Sequence, residues 1–161
     1  MINIRRIEKK DDVQVEALIR SCLIEYGANH EGTAWCDPTL ACFSSLYVGE
    51  GNAYWVAVDE KDRVVAGVGI MKLEGKANIC ELQKMYSYKE IRGSGVASEL
   101  MNIALAYANE YYDACYIETL ENMIEARHFY EKYGFKRIDE AIIDTGHYAC
   151  DIRYILYFEK E

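Results

Sequence analysis

Residues 90–101 read "EIRGSGVASELM", and the order strand, glycine pair, helix around this stretch decides the fold. Upstream, "AYWVAVD" (53–59), "VVAGVGIMKL" (64–73) and "ANICELQKMYSY" (77–88) are β-branched and aromatic runs separated by the polar turns "EKDR" and "EGK". Turns of hairpin length between such runs predict an antiparallel three-strand meander. Downstream, Val96, Leu100, Ile103, Ala104, Tyr107 and Tyr111 recur with helical period, and "ACYIETL" (114–120) is again a strand. A strand, helix, strand crossover makes the two strands parallel.

Further out, "INIRRIE" (2–8) alternates like a first strand. "DDVQVEALIRSCLIEYG" (11–27) follows as a helix with Val15, Leu18, Ile19, Cys22 and Leu23 on one face. "ANHEGTAWCDPT" (28–39) is a loop, and "PTLACFSSLYVGEG" (38–51) reads as a short helix begun by Pro38 and stopped by Gly49 and Gly51. In "ENMIEARHFYEKYGF" (121–135) Asn122 is placed to cap a helix, Glu125 to complete a capping box and Gly134 to end it. "KRIDEAI" and "CDIRYILYFEK" close the sheet as two more strands. The expectation is one α/β domain over 1–161, with a mixed sheet and helices on both faces.

A chain of 161 residues that is 51% hydrophobic, with Pro38 its single proline, is long and apolar enough to fold without staples. Its six cysteines, Cys22, Cys36, Cys42, Cys80, Cys115 and Cys150, include no C-x-x-C pair and read as reduced cytosolic thiols. His147 and Cys150 form H-x-x-C, two ligands without partners, so no metal is expected. A net charge of −9 argues against a nucleic-acid surface, and no apolar run reaches membrane-spanning length. A cytoplasmic enzyme or binding module, with a homodimer allowed, is the class that remains.

The glycine pair sits where a helix begins, and a helix N-terminus leaves N–H groups without acceptors at the positive end of the dipole. Without a Cβ, Gly93 and Gly95 permit positive φ and close approach of phosphate oxygens, and Arg92 adds a cation nearby. A plain turn into a helix is the alternative. A P-loop is excluded because no lysine follows the glycines at the required spacing. "GSGVAS" is closer to a dinucleotide fingerprint, with Glu118 near the ribose-binding position, but Ser98 ends it and it follows a meander rather than a parallel strand.

"RGSGVA" fits the pattern Arg/Gln-x-x-Gly-x-Gly/Ala, and "ARHFYEKYGF" follows after one strand. With this order of elements the chain resembles the GNAT N-acetyltransferase superfamily along nearly its whole length. "ELQKMY" (81–86) and "TGHYAC" (145–150) are similar to a bacterial subgroup. The resemblance implies an acyl-CoA N-acyltransferase fold, a mixed, mostly antiparallel sheet of about seven strands with about four helices. It implies acetyl-CoA as acyl donor and a small-molecule or peptide amine as acceptor, joined by direct attack in a ternary complex.

By the same resemblance the strands on either side of the glycine loop and its helix splay, and the pantetheine arm pairs between them. Met85, Tyr86 and Ser87 then offer backbone groups to pantetheine. Arg92, Gly93, Ser94, Gly95, Val96, Ala97 and Ser98 wrap the pyrophosphate, and Met123, Ala126 and Phe129 border the cofactor from the second helix. Where relatives often carry Asn on that helix this chain has Met123, with Asn122 beside it, and the approach "SYKEIRG" lacks a proline many relatives have.

Tyr130 matches the tyrosine that points at the coenzyme sulfur, where a neutral phenol can protonate the leaving thiolate. Packing as a core aromatic with Met123, Ala126 and Tyr133 is its structural alternative. Glu81, on the strand that meets the cofactor, matches the carboxylate that takes the amine's proton, with Glu118 as the second candidate. Tyr26, Trp35, Asp37 and His147 lie in loops expected to build the acceptor site. A non-catalytic module of the same fold that binds acyl-CoA or a partner protein would not need Tyr130.

Overall fold

A computed structural model describes residues 1–160. Its centre is the meander β2 (Ala53–Val58), β3 (Val64–Leu73) and β4 (Lys76–Ser87), with β1 (Asn3–Arg6) antiparallel on the outer edge of β2. Helix α3 (Val96–Tyr111) crosses to β5 (Ala114–Thr119), which lies parallel to β4. The last strands, β6 (Lys136–Ile138) and β7 (Ile152–Tyr157), complete a seven-stranded sheet of order β1-β2-β3-β4-β5-β7-β6. β4 and β5 are the one parallel pair in it, as expected from the crossover.

Both faces of the sheet are covered. Helix α1 (Asp12–Glu25) and the short α2 (Phe43–Leu46) lie on one, α3 and α4 (Ile124–Lys132) on the other. The α1 stripe is the expected one: Val15, Leu18, Ile19, Cys22 and Leu23 are all buried. On α3 the buried stripe is Val96, Leu100, Met101, Ala104 and Ala108, so Ile103 and Tyr111 face outward. The difference is physical: Tyr107 and Tyr111 stack on each other, and Tyr107 shares the Arg6 guanidinium with Trp55 at the sheet edge.

Two helix starts differ from the sequence expectation. Helix α2 begins at Phe43, not Pro38, and is initiated from outside: the Asp12 carboxylate accepts hydrogen bonds from the Ser44 N–H (2.8 Å) and hydroxyl (2.7 Å). At α4 the N-cap position is Met123, and no side chain caps the helix. Asn122 instead donates to the Tyr26 carbonyl at 2.9 Å, tying the start of α4 to the end of α1. Gly134 has φ +96° and ends α4 as expected.

The meander holds two glycines for room rather than for torsion. A Cβ on Gly67 would stand 2.6 Å from the Tyr54 hydroxyl, and one on Gly69 would stand 2.8 Å from both Tyr47 and Tyr54 ring carbons. These tyrosines are the largest buried side chains of the α1 face. Replacing Gly69 with alanine should therefore overpack a closed core and cost about 2 kcal/mol, read as a lower urea midpoint at unchanged slope.

Candidate active site

The hydrogen-bonded pairing of β4 with β5 covers only Ile79 with Ala114, Cys80 with Cys115 and Glu81 with Tyr116. Beyond Glu81 the strands separate, although β4 runs on to Ser87 and β5 to Thr119. On its other side β4 carries a bulge between its pairings with Gly67 and Gly69, centred on Lys84 and Met85. The separation leaves the inner edge of β4 without a strand partner from Met85 to Ser87; the Ser87 carbonyl is held by Arg92, and the edge at Met85 and Tyr86 is open to an added strand.

Along this opening runs a groove of about 350 Å³. One end is the glycine loop. Gly93 has φ +82° and Gly95 φ +91°, and Gly95 is the residue from which α3 starts, with no side-chain cap. A Cβ on either glycine would meet no protein atom within 4 Å. Glycine is therefore needed for torsion and for what approaches from outside, not for close packing, and the first N–H groups of α3 stay free to bind an anion. Of the residues expected to hold the donor, all but Ser94 line this groove: Met85, Tyr86, Ser87, Arg92, Gly93, Gly95, Val96, Ala97, Ser98, Met123, Ala126 and Phe129. Ser94 turns its hydroxyl to the Ile91 carbonyl at 2.5 Å, stiffening the loop from within.

The Arg92 guanidinium is engaged elsewhere. It binds Glu25 through two contacts of 2.6 and 2.7 Å and donates to the Ser87 carbonyl at 2.8 Å. Its hydrogen bond holds the Glu25 carboxyl below the ordinary glutamate range. What Arg92 gives the loop is thus a tie to the end of α1 and to the end of β4.

At its other end the groove meets a second, narrow cavity of about 60 Å³, and Met85, Tyr86, Met123 and Tyr130 line both. Tyr130 is packed edge-on by Phe129, Phe135 and Tyr154, and burial pushes its phenol well above the usual tyrosine range. It is a neutral O–H donor at physiological pH. The ring is core, as the structural alternative had it, and the residue also borders the junction of the two cavities.

The narrow cavity is polar on its far wall. Glu81, 6% exposed, accepts a 2.6 Å hydrogen bond from the Gln83 amide, whose own oxygen accepts from the Tyr47 hydroxyl at 2.7 Å. Burial raises the Glu81 carboxyl above the ordinary range, opposed by the Gln83 hydrogen bond and the charge of Lys84. Glu118, the second carboxylate, accepts from the Tyr116 hydroxyl at 2.8 Å and from the Thr145 hydroxyl. Its oxygens are already served, whereas Glu81 has one amide donor.

Asp37 and His147 meet as the loop assignment anticipated, with His147 Nε2 and Asp37 Oδ1 2.8 Å apart and Lys84 Nζ 2.8 Å from Asp37 Oδ2. Burial would raise the Asp37 carboxyl, but the His147 hydrogen bond and the Lys84 charge outweigh it and hold Asp37 low. The other two loop candidates lie elsewhere. Tyr26 lines the long groove, and Trp35 packs its ring under the Arg20 guanidinium at 4.6 Å. Gln83 and Lys84 were missed as individual groups. The signal was available: a polar pair, out of alternation, inside the otherwise apolar run "ICELQKMY".

Comparison with known proteins agrees with this geometry. A family model described as an acetyltransferase (GNAT) domain matches residues 50–137. The N-acetyltransferase YjgM of Escherichia coli K12, itself uncharacterised, is 40% identical over 154 residues, covering 94% of this chain and 92% of that protein. The N-acetylaspartate synthetase of Xenopus tropicalis is 32% identical over 89 residues, 55% of this chain and 32% of that one. Among solved structures, a GNAT-family acetyltransferase from Staphylococcus aureus Mu50 superposes with a TM-score of 0.84 at 21% identity, over 99% of this chain and 100% of that one. An acetyltransferase from Streptococcus agalactiae 2603 gives 0.82 at 21% identity, over 98% of each. By its sheet, its splayed strands and these relatives, the chain belongs to the GNAT acetyltransferase family and is an N-acetyltransferase.

Proposed function

We propose that the donor is acetyl-CoA, held along the β4 edge with its pyrophosphate on the glycine loop, and that the acceptor is a primary amine entering through the narrow cavity. The single observation that carries this reading is the junction: Tyr130 borders both cavities, so a group bound in one can react with a group bound in the other. When bound, the donor supplies a thioester whose carbonyl carbon takes the acceptor nitrogen as its sulfur leaves. Tyr130 gives its proton to that sulfur, and Glu81 takes the proton the nitrogen loses, directly or through water. A peptide N–H near Met85 or Tyr86 donates to the acyl carbonyl oxygen, and the open peptide groups there exchange hydrogen bonds with the amides of pantetheine. The relative named for N-acetylaspartate makes an acetylated α-amino acid, a product within this chemistry. The six cysteines are free thiols, which accords with action in a reducing compartment such as the cytoplasm.

Three measurements test the reading. Release of free thiol from acetyl-CoA with a panel of amines should report turnover; coenzyme A binding without turnover on any amine would favour a non-catalytic module instead. Coenzyme A should also raise the melting temperature of the wild type. Gly95→Val places a β-branched residue at φ +91°. It should weaken coenzyme A binding about 30-fold by titration calorimetry, because the left-handed torsion is lost and a side chain fills the phosphate approach.

A further inference from the structure

Lys84 lines the narrow cavity but has no part in the transfer steps above. It is one of two non-glycine residues with positive φ (+52°) among the described residues, and it sits on the β4 bulge inside the sheet. A left-handed lysine costs roughly 1 kcal/mol and persists only where its surroundings fix it. Here the Tyr54 hydroxyl donates to the Lys84 carbonyl at 2.8 Å, and Gly67 and Gly69 make room for the tyrosines behind it. The bulge turns the lysine into the acceptor side, where its side chain is 9% exposed.

An ammonium group has three N–H donors, and one carboxylate, Asp37, which is shared with His147, stands against this one. Its charge reaches the far wall of the narrow cavity, lowering both Glu81 and the Cys150 thiol against the effect of burial. Glu81, Gln83, Lys84 and His147 line that cavity and also an outer groove of about 390 Å³, so they form the partition an acceptor must pass. Within this partition stand a carboxylate with one hydrogen-bond donor and, next to Asp37, a largely buried ammonium that makes one contact with its three donors.

We propose that the acceptor carries an ionised carboxylate beside its amine, and that Lys84 binds it: the substrate class is a free amino acid, with its side chain in the outer groove. This rests on the acetyl-transfer reading above. An α-amino acid holds its carboxylate one carbon from its amine, a compact arrangement for a cavity of about 60 Å³. A polyamine or a lysine side chain within a peptide presents no anion there and would leave the buried Lys84 donors unanswered.

The test uses amino acids and their decarboxylated twins, L-serine with ethanolamine, L-tyrosine with tyramine, L-histidine with histamine, at saturating acetyl-CoA. In at least one pair the amino acid should exceed its twin in kcat/KM by about 100-fold, expressed mainly in KM. Lys84→Met should bring that ratio to within about threefold, while Lys84→Arg keeps a substantial part of it. A merely structural lysine would depress both members of a pair alike and leave the ratio intact. Should Lys84→Met fail to melt cooperatively, the wild-type ratios and Lys84→Arg still decide. Turnover without preference for the carboxylate, or a preference that Lys84→Met leaves unchanged, overturns this inference and leaves acetyl transfer standing. Turnover of no amine at all, with coenzyme A still bound, overturns both.

Discussion

Tyr130→Phe should lower kcat about 10³-fold while leaving the KM for acetyl-CoA and the melting temperature near their wild-type values. The ring packs between Phe129, Phe135 and Tyr154, and phenylalanine preserves every one of those contacts. Burial and the neighbouring Tyr154 and Tyr26 are what act on the phenol, and the substitution removes only its oxygen. What disappears is the hydroxyl proposed as proton donor at the junction of the two cavities. Because burial holds the phenol's ionisation far above neutrality, the wild-type residue stays protonated across the working range and imposes no alkaline limb of its own below its raised titration. Rapid-quench measurement of a single turnover separates this loss from product release. A donor with a better leaving thiol should recover part of the rate in the variant, since a less basic sulfur needs less proton donation. A variant with the wild-type single-turnover rate would remove Tyr130 from the chemistry and leave it as core.

Most of the fold was legible because its signals are local. The alternation in β2 to β4, the polar hairpin turns and the period of α1 each follow from a few neighbouring residues. Gly134 ended α4 as its torsion demands. The errors lie where a partner distant in sequence decides. Asp12, far from α2 in the chain, fixes that helix's start, and the Tyr26 carbonyl draws Asn122 away from the cap it was expected to make. The ion pair that Arg92 makes with Glu25 was equally illegible, because its partner lies 67 residues away.

The candidate site divides the same way. The glycine loop is a contiguous motif, and its torsions are those its glycines announce. The acceptor wall is assembled from β4, the loop carrying Asp37 and the segment carrying Thr145 and His147, through contacts no spacing encodes. Lys84 shows the limit most plainly. Its role depends on a bulge whose stability comes from Tyr54 and from the glycines that admit that ring, so the residue that faces the acceptor is set by residues of two other strands.

Glu81→Gln is expected to cut kcat/KM at neutral pH by about 10³-fold and, more tellingly, to abolish the acidic limb of the pH profile. In the wild type the limb arises because a base must be ionised, and burial lifts this carboxyl above the ordinary glutamate range. Activity should therefore rise with pH through that raised value rather than plateau above ordinary glutamate pKa values. Stability should move the opposite way. A carboxyl raised in the folded state binds its proton more tightly there than in the unfolded chain, so its contribution is full below the unfolded value and is lost as pH climbs through the folded one. Glutamine has no such proton to lose. The variant should match or exceed the wild type in urea midpoint at pH 7 and lose that advantage toward pH 4, even as it loses activity. If the variant kept an acidic limb at the same pH, the base would be another group. Glu118, already holding two hydroxyls, would then be the one to replace.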